Sequence, residues 1–422
     1  MKAIIVVFLF VMSLYHFPVR IFFLEVQIIS KGKTKAVILP IEFEFMSKSL
    51  PKIGLLGGGQ LGRMLLQAAI DLDLPIACLD PDPEASCHTL TTQFTQGSFQ
   101  DFDTVYHFGK QFDLISIEIE HVNIEALEQL EAEGIKVYPQ PHLLRMIQDK
   151  RIQKTFFQTH GFPTADFRLI ESSAEIIANE DFLPAFQKLG KGGYDGKGVQ
   201  YIGSAADIAK GFDAPGLLEK AIDFDKELAV IVARNPQGEI KAFPAVEMVF
   251  HPVQNLVEFL VSPAAISPEI EKEAEDIAVR LIDQMGLVGV LAVEMFLTKD
   301  GKILINEVAP RPHNSGHQTI RANDTSQYEQ HLRAITGMPL GDTKAHSFSG
   351  MLNLLGADGF TGPAKYEGLD TILGISGVHP FLYGKKITKP YRKMGHITLL
   401  GESREEIEQK AEQVKQSIRV IA

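Results

Sequence analysis

The sequence has little of several things that would mark a specialised class of protein. Among its 422 residues there is no tryptophan, and the only cysteines, Cys78 and Cys87, do not form a C-x-x-C pair. Composition therefore gives no indication of a disulfide scaffold or a cysteine-based metal site, and a reducing compartment is the simplest expectation. Lysine and arginine total 41 against 53 acidic residues, for a net charge of -12. We expect no nucleic-acid binding, because a phosphate backbone is held mainly by clustered basic residues.

Long hydrophobic runs are also scarce. The run AIIVVFLFVMSLY at 3–15 resembles the apolar core of a signal peptide, but it is shorter than the about 20 residues of a membrane span and no A-x-A cleavage pattern follows it. Met46 begins a short polar lead into the first predicted strand, as a cytosolic enzyme would begin. We expect residues 1–45 to be a dispensable extension, with a targeting segment as the alternative, and we expect a cytoplasmic protein without stable membrane association.

Short apolar runs alternate with amphipathic helical stretches after Lys52. This alternation at 50–141 predicts a parallel sheet with helices on its faces. The part at 142–346 begins with one long helical stretch ended by Gly161 and then mixes strands with helices, and the part at 347–422 has short strands and a terminal helix. The predicted fold class is α/β and α+β, with a Rossmann-like parallel-sheet domain, a central domain and a small β-rich C-terminal domain.

A first glycine cluster, GLLGGGQLGRM, lies between a predicted strand and a predicted helix. Gly57, Gly59 and Gly62 match G-x-G-x-x-G, and Asp80 ends the next predicted strand, as in dinucleotide-binding folds. An NAD(P) or flavin oxidoreductase is therefore one alternative. Because the amides of a helix N-terminus favour any phosphate, the pattern predicts a phosphate site without identifying its ligand. A tight turn without a ligand is the other alternative.

A second glycine cluster, GGYDGKG at 192–198, is bracketed by Lys188, Lys191 and Lys197. A loop with few Cβ atoms lets backbone amides close around an anion, and lysines add charge for a phosphate. A plain surface turn is the alternative, since Asp-Gly is a strong turn signal. We interpret the cluster as a phosphate-binding loop that closes over its ligand.

Two acidic residues lie on a predicted hairpin, LAVEMFLTKDGKILINEV. A two-residue turn at 300–301 would pair Lys299 with Lys302 and place Glu307 opposite Glu294. Opposed carboxylates, with Cβ atoms roughly 4.5–5.5 Å apart, destabilise a hairpin unless a cation lies between them. Mg²⁺ commonly takes one or two protein carboxylates and completes its shell with substrate phosphates and water. The hairpin therefore predicts a magnesium site, with a solvated acidic face as the alternative.

Together these motifs resemble the ATP-grasp superfamily and, within it, the N5-carboxyaminoimidazole ribonucleotide synthetases. The two glycine clusters, QDKRIQK, NEVAPRPHNSGH and LYGKKITKPYRKMGH carry the resemblance, which extends from about residue 51 to the end. It implies a pre-ATP-grasp domain at 50–141, an ATP-grasp domain at 142–346 and a C-terminal domain at 347–422.

The resemblance also implies a reaction. In that family ATP phosphorylates bicarbonate to carboxyphosphate, and the amine of 5-aminoimidazole ribonucleotide captures the carboxyl group, with release of ADP and phosphate, in purine biosynthesis. The implied cofactors are ATP and Mg²⁺, with Mn²⁺ as a substitute. A homodimer and a separate mutase that receives the product are implied as well.

Site residues follow from the resemblance, motif by motif. Lys150 and Lys188 would contact ATP phosphates, 219–222 would meet the adenine, and Glu227 the ribose. Glu294 and Glu307 would hold Mg²⁺. The full implied ATP-binding set is Lys150, Lys188, Gly193, Tyr194, Asp195, Gly196, Lys197, Gly198, Val199, Glu219, Lys220, Ala221, Ile222, Glu227, His251, Asn306 and Glu307.

The ribonucleotide and bicarbonate side is implied in the same way. His317 would accept a proton from the attacking amine, together with Arg311 and Lys197 as catalytic residues; a histidine merely hydrogen-bonded in a turn is the alternative for His317. Lys385, Arg392 and Lys393 form a terminal basic cluster, for which a solvated surface is the alternative. The matching of Lys385, Lys386 and Lys389 to family positions stays open. The implied substrate-binding set is Gln60, Leu61, Tyr194, Asp195, Asn314, Lys385, Arg392 and Lys393.

Two further functional alternatives stay open on the sequence. Another ATP-grasp ligase, such as a formate-dependent glycinamide ribonucleotide transformylase or a biotin-carboxylase-like enzyme, would share the ATP and metal residues but differ in its acceptor contacts. A noncatalytic membrane-tethered regulator is suggested only by residues 1–45, and the acidic pair argues against it.

Overall fold

The structure is a computed structural model that describes residues 4–11, 20–30, 33–43, 50–91, 93–193, 198–250 and 257–422. The chain divides into two units, Met1–Pro51 and Lys52–Ala422. No helix within the described ranges combines the length and the apolar character needed to cross a membrane.

The strands and helices lie in the following order. The strands are β1 Ile4–Val11, β2 Arg20–Ser30, β3 Lys33–Phe43, β4 Ile53–Leu56, β5 Ile76–Asp80, β6 Phe94–Gln96, β7 Leu114–Ile117, β8 Lys136–Val137, β9 Phe167–Ile170, β10 Ala185–Leu189, β11 Val199–Ile202, β12 Gly216–Lys220, β13 Phe224–Arg234, β14 Ile240–Ala242, β15 Val246–Phe250, β16 Val257–Ser262, β17 Gly289–Thr298, β18 Ile303–Ala309, β19 Phe348–Leu355, β20 Gly362–Pro363, β21 Lys365–Glu367, β22 Val378–Leu382, β23 Ile387–Thr388, β24 Lys393–Gly401 and β25 Arg419–Ile421. The helices are α1 Gln60–Asp71, α2 Phe102–Gly109, α3 Ile124–Ala132, α4 Pro141–Ile147, α5 Lys150–Thr159, α6 Ser173–Ala178, α7 Pro268–Met285, α8 Thr319–Ala322, α9 Gln327–Thr336, α10 Leu369–Leu373 and α11 Arg404–Ser417.

The first unit is an antiparallel sheet in the order β1-β2-β3. Most of the apolar run at 3–15 therefore lies in the strand β1. The dispensability of residues 1–45 stays a prediction.

The second unit begins with the predicted parallel sheet, in the order β6-β5-β4-β7-β8. Successive strands add to one side of β4 and then to the other, so the order reverses between β4 and β7. In open parallel sheets, ligands bind at the carboxyl ends of the strands at this switch point. The first glycine cluster, which follows β4, lies at that position.

The long helical stretch predicted after residue 142 is two helices, α4 and α5, and the prediction of one helix was wrong. The side chain of Asp149 accepts a hydrogen bond from the amide of Arg151 at 3.0 Å and so caps α5. Such capping satisfies an amide that the first turn leaves without an intrahelical partner. The break places Lys150 at the start of α5.

Two antiparallel sheets follow in the second unit, and the region where they meet, at Lys188 of one and Asn306 of the other, is here called the cleft. The smaller has the order β11-β10-β12-β9. The larger has nine strands, in the order β18-β17-β13-β15-β16-β19-β24-β22 with β14 on β13. Because β16 pairs with β19, this sheet runs through the predicted boundary at 346/347, and that boundary stays a prediction.

Helix α7 covers one face of the large sheet. Its apolar residues recur at helical spacing and pack against β13 and β17 in one hydrophobic core. Full burial of one large aliphatic side chain stabilises a fold by about 1.5–3 kcal/mol. The helix ends at Gly286, whose φ of 64° is the left-handed conformation that glycine adopts easily. This packing makes the strands that carry Glu294 and Glu307 a rigid support.

His331 joins the parallel sheet to the large sheet. Its Nδ1 accepts a hydrogen bond from the amide of Val290 at 3.3 Å, so its Nε2–H donates to Ser116 Oγ at 3.0 Å. The ring is fully buried, and burial lowers the pKa of His331 to about 3. The neutral imidazole is therefore the form that holds the two sheets together.

This burial predicts a loss of stability in acid. Because the folded-state pKa of His331 lies below its ordinary value of 6.5, the stabilisation is complete above pH 6.5 and is lost as pH falls toward 3. We expect His331 alone to lower the free energy of unfolding by up to about 1.4 kcal/mol per pH unit in that window. In urea titrations at pH 7.5, 6 and 5, His331→Leu should take up about one proton fewer on unfolding than the wild type at pH 5, and an equal number at pH 7.5. If the free energy of unfolding changed with pH by the same amount in the two proteins, the prediction would be contradicted.

Candidate active site

Glu294 and Glu307 lie opposite each other on β17 and β18, as predicted. The predicted two-residue turn was wrong, however. The amide of Thr298 donates to the carbonyl of Lys302 at 2.9 Å, and Gly301 has a φ of 81°. The loop therefore has three residues, with glycine in the left-handed position that this loop type uses.

A bulge restores the register that the longer loop shifts. Met295 pairs with Ile305 while Glu294 pairs with Glu307, which leaves Asn306 as the extra residue of β18. Bulges re-aim side chains beside functional sites. Here both Asn306 and Glu307 contact lysines from other elements.

Three lysines and Glu219 lie beside the part of the hairpin that carries Asn306 and Glu307. Lys150 forms an ion pair with Glu307. Lys188, on β10, donates to Glu219 Oε1 at 2.7 Å and to Asn306 Oδ1 at 3.0 Å. Lys154, one helical turn after Lys150, forms an ion pair with the other oxygen of Glu219. The sequence analysis missed Lys154, although its spacing of four from Lys150 puts both on one face of α5.

The electrostatics of the acidic residues favour a bound cation. Burial, together with the charges of Glu307 and Glu227, raises the pKa of Glu294 to about 8, and burial raises that of Glu227 to about 7. Lys150 lowers the pKa of Glu307 to about 2. In the described part of the chain, no cluster of three or more His, Cys, Asp or Glu side chains forms a complete metal site. Two hard carboxylates fit Mg²⁺, which takes its remaining ligands from phosphates and water.

Aromatic side chains lie on the strands that carry these charged groups. Phe186, two residues before Lys188, has its ring centroid 5.2 Å from that of Tyr201 on β11. Phe296, two residues after Glu294, stacks on Phe224 at 4.8 Å. Residues two apart on a strand share a face. Phe186, Tyr201 and Phe224 are exposed and Phe296 is half-buried. These four rings, here called the aromatic wall, were not predicted from the sequence.

The predicted adenine segment lies at the end of β12. Its first residue, Glu219, is buried with its carboxylate taken up by the two lysines. Lys220 donates to the carbonyl of Phe182 at 3.0 Å, and the amide of Ala221 donates to Pro184. The contact of the segment 219–222, which ends at Ile222, with a base stays a prediction. Glu227 pairs with Phe296 across β13 and β17, and its contact with a ribose stays a prediction.

Part of the second glycine loop lies outside the described residues, namely Tyr194, Asp195, Gly196 and Lys197, and so does His251. Their roles stay predictions. The loop leaves from Gly193 and returns at Gly198, whose φ is 80°. Val199 then pairs with Lys188. Both ends of the loop therefore lie beside a cleft lysine.

The first glycine cluster does not offer its glycine amides to a ligand. The amide of Gly58 donates to Asp80 Oδ2 at 2.7 Å, and the amides of Gly59 and Gly62 donate to the two oxygens of Glu118 at 2.8 and 2.9 Å. A Cβ on Gly59 would lie 2.7 Å from Glu118 Oε1, so a side chain at this position would displace the Glu118 carboxylate. Because these amides are used within the protein, the geometry argues against the dinucleotide-binding alternative.

Two amides at the start of α1 differ from their glycine neighbours. Within the described residues, the amides of Gln60 and Leu61 make no hydrogen bond to the protein. Gln60 lines a pocket of about 280 Å³ that is formed by residues from both ends of the second unit. The pocket is lined by Gly59, Gln60, Asp80, Asp82, Glu84, Ala85, Ser86, Lys385, Lys386, Ile387 and Arg392.

The residues of the terminal basic cluster lie in two places, two of them at this pocket and Lys393 near the acidic pair. Lys385 donates to Gln60 Oε1 at 2.9 Å and to the carbonyl of Lys393 at 2.8 Å, and Arg392 donates to Ile387 at 2.6 Å. Lys385, Lys386 and Arg392 line the pocket, whereas Lys389 is not among its lining residues. The charge of Lys393 contributes to the field at Glu294.

The predicted catalytic histidine is buried. His317 is only 1% exposed, its Nδ1 is hydrogen-bonded to the hydroxyl of Tyr328 at 2.9 Å, and burial holds its pKa well below the ordinary value. This geometry does not favour direct proton transfer from a substrate. His313, which the sequence analysis missed, has its Nδ1 3.6 Å from Glu294 Oε1.

Two other predicted residues make protein contacts near this segment. Arg311 forms an ion pair with Glu120 at 2.8 Å. Asn314 exchanges two hydrogen bonds with Asn353, each 2.9 Å long. Both pairs join the segment after β18 to neighbouring elements, and the substrate roles of these residues stay predictions.

Three family models match consecutive parts of the chain. A ribonucleotide synthetase preATP-grasp domain matches residues 50–148, an ATP-grasp domain matches 155–328, and a phosphoribosylaminoimidazole carboxylase C-terminal domain matches 349–410. These matches support the predicted fold class of three successive parts.

Known proteins match over the same length. An N5-carboxyaminoimidazole ribonucleotide synthase from Bacillus subtilis is 36% identical, over 84% of this chain and 92% of its own. A chloroplastic phosphoribosylaminoimidazole carboxylase from Vigna aconitifolia is 38% identical over 84% of this chain, which spans 65% of that longer protein.

A solved structure, the N5-carboxyaminoimidazole ribonucleotide synthetase from Thermotoga maritima, has a TM-score of 0.82 at 38% identity and covers 88% of this chain and 100% of its own. An Aspergillus clavatus N5-carboxyaminoimidazole synthase, solved with ADP and 5-aminoimidazole ribonucleotide, has a TM-score of 0.79 at 32% identity and covers 87% of this chain and 98% of its own. With the cleft lysines, the acidic pair and the three domains in place, the chain belongs to the N5-carboxyaminoimidazole ribonucleotide synthase family of ATP-grasp enzymes.

Proposed function

We propose that this chain carries out the reaction from which its family takes its name. ATP phosphorylates bicarbonate, and the resulting carboxyphosphate transfers its carboxyl group to the amine of 5-aminoimidazole ribonucleotide. The products are N5-carboxyaminoimidazole ribonucleotide, ADP and phosphate, in purine biosynthesis. The observation that carries the proposal is the convergence of Lys150 and Lys188 on the bulged hairpin of Glu294 and Glu307.

The nucleotide side of the reaction uses the cleft between the two antiparallel sheets. Glu294 and Glu307 would hold Mg²⁺, which supplies charge neutralisation at the transferred phosphoryl group. Lys150 and Lys188 place positive charge where negative charge develops on the phosphates. The aromatic wall receives the base. Closure of loop 193–198 would exclude water from the labile carboxyphosphate.

The acceptor side uses the pocket at the start of α1. The amides of Gln60 and Leu61 and the lysine Lys385 form a site for the 5′-phosphate of the ribonucleotide. When the amine attacks the carboxyl carbon, phosphate leaves and the amine loses a proton. His313 is the histidine beside the acidic pair, and burial lowers its pKa to about 4, so it faces the reacting groups as a neutral imidazole. We propose His313, rather than His317, for contact with them.

Other expectations from the resemblance belong to this proposal. We propose bicarbonate as the carboxyl source, a homodimer in the cytoplasm, and a separate mutase that takes the product. Mn²⁺ would replace Mg²⁺ at the two carboxylates.

ADP release is the measurement that tests the function. With Mg-ATP and bicarbonate, we expect release to depend on 5-aminoimidazole ribonucleotide. We expect equal rates from the full chain and from the chain that begins at Met46. Release that required glycinamide ribonucleotide and formate instead would assign the chain to the alternative ligase.

A further inference from the structure

Lys154 is a buried charge beneath the nucleotide cleft. Its side chain is only 3% exposed. The ammonium forms an ion pair with Glu219, donates to Thr164 Oγ1 and lies 3.5 Å from the carbonyl oxygen of Ile305. A lysine loses much hydration in such a place, so it persists only where its charge is matched.

Glu219 lies between Lys154 and the cleft. Its side chain is also 3% exposed, with one oxygen on Lys154 and the other on Lys188. Lys188 is 10% exposed and reaches Asn306 on the bulged hairpin. The three charges therefore form a column that runs from the protein interior to the cleft.

The charge count of this column decides what Lys188 offers a ligand. If Glu219 had Lys188 as its sole partner, the pair would be neutral and the ammonium would be held on the carboxylate. With Lys154 present, the two lysines and Glu219 carry a net charge of +1. The excess charge resides at the cleft end, where Lys188 is more exposed than its two partners.

We infer that Lys154 is a positioning residue for the nucleotide, because it balances Glu219 from the interior and lets Glu219 orient Lys188 without cancelling its charge toward a polyphosphate. This inference rests on the proposed ATP-dependent function. Burial lowers the pKa of Lys154 to about 8, against the attraction of Glu219. Burial would raise the pKa of Glu219, but Lys188 and Lys154 lower it below its ordinary value. The column is therefore charged at neutral pH.

If Lys154 only stabilised the fold, its replacement would not selectively lower the affinity for the nucleotide. Removing one partner of a buried ion pair is destabilising when the other charge is left uncompensated, but Glu219 keeps its ion pair with Lys188 when Lys154 is replaced. Methionine matches the length of lysine. We therefore expect Lys154→Met to fold and to keep its affinity for the ribonucleotide while it loses affinity for the nucleotide.

Calorimetric titration of the full chain with Mg²⁺ and the non-hydrolysable ATP analogue AMPPNP tests the inference. Lys154→Met should raise the dissociation constant by about tenfold or more, with the KM for the ribonucleotide within about twofold of the wild type. Lys110→Met, at the partly exposed ion pair with Glu133, is the matched control and should change neither value. An unchanged dissociation constant in Lys154→Met, or an equal loss for both substrates, would overturn the inference.

If Lys154→Met does not fold, the inference is tested by comparing Glu219→Gln with the double variant. In Glu219→Gln the carboxylate charge is absent, so Lys154 should have no further role. Lys154→Met combined with Glu219→Gln should bind AMPPNP within about threefold of Glu219→Gln alone. A further tenfold loss in the double variant would refute the inference. Because AMPPNP binding needs no acceptor, a wild type that binds it without turning over the ribonucleotide would refute the proposed function and leave the inference standing.

Discussion

Replacing Glu307 by glutamine is expected to reduce Mg²⁺-dependent ATP turnover by about 10²–10³-fold or more, with the fold intact. Glu307 is ionised at neutral pH because Lys150 lowers its pKa to about 2. It lies opposite Glu294, whose pKa is raised to about 8. Glutamine keeps the shape of the side chain but removes the charged ligand that the cation requires.

ADP release at saturating Mg-ATP, bicarbonate and ribonucleotide measures this effect. The matched control is Glu329→Gln, which removes a carboxylate from the ion pair with Arg333 on α9 and should keep full activity. Circular dichroism and a thermal melt verify the fold of both variants. Full activity in Glu307→Gln would show that the acidic pair does not hold the metal.

Replacing Lys385 by methionine is expected to raise the KM for the ribonucleotide roughly 10- to 100-fold. Lys385 lines the pocket at the start of α1 and contacts Gln60, so its ammonium is placed for a charge-assisted hydrogen bond to a phosphate. The affinity for Mg-ATP should stay unchanged, because the nucleotide lysines belong to β10 and α5.

Steady-state kinetics with each substrate varied in turn separates the two effects. Lys389→Met is the control, since Lys389 is exposed and is not among the residues that line the pocket. A rise in the KM for ATP equal to that for the ribonucleotide would contradict a phosphate-binding role for Lys385.

The parallel sheet was predictable because its pattern is local. Apolar strand runs and amphipathic helices alternate within windows of ten to twenty residues, and the parallel pairing of β4, β5, β7 and β8 matches that expectation. The break before Lys150 was not predicted, although Asp149 is a strong capping residue. An amphipathic period continues across the break, so periodicity alone could not separate α4 from α5.

The acidic pair shows how a correct prediction can rest on an incorrect step. The turn at 299–301 is one residue longer than predicted, and the bulge at Asn306 adds one residue on the other strand. The two shifts cancel, so Glu307 still faces Glu294. Turn length follows from local sequence, but the bulge depends on contacts of β18 with the rest of the fold.

The sequence by itself determined the fold class, the acidic pair and the ATP-grasp resemblance, because these depend on periodicity and on motifs of a few neighbouring residues. Only the tertiary structure decided which groups are available to a ligand. It showed that Glu118 accepts hydrogen bonds from the glycine amides, that His317 is buried and that Lys154 shares Glu219 with Lys188. Burial, hydrogen-bond partners and charge balance are set by residues far apart in sequence, and they depend on distances that exist only once the chain has folded.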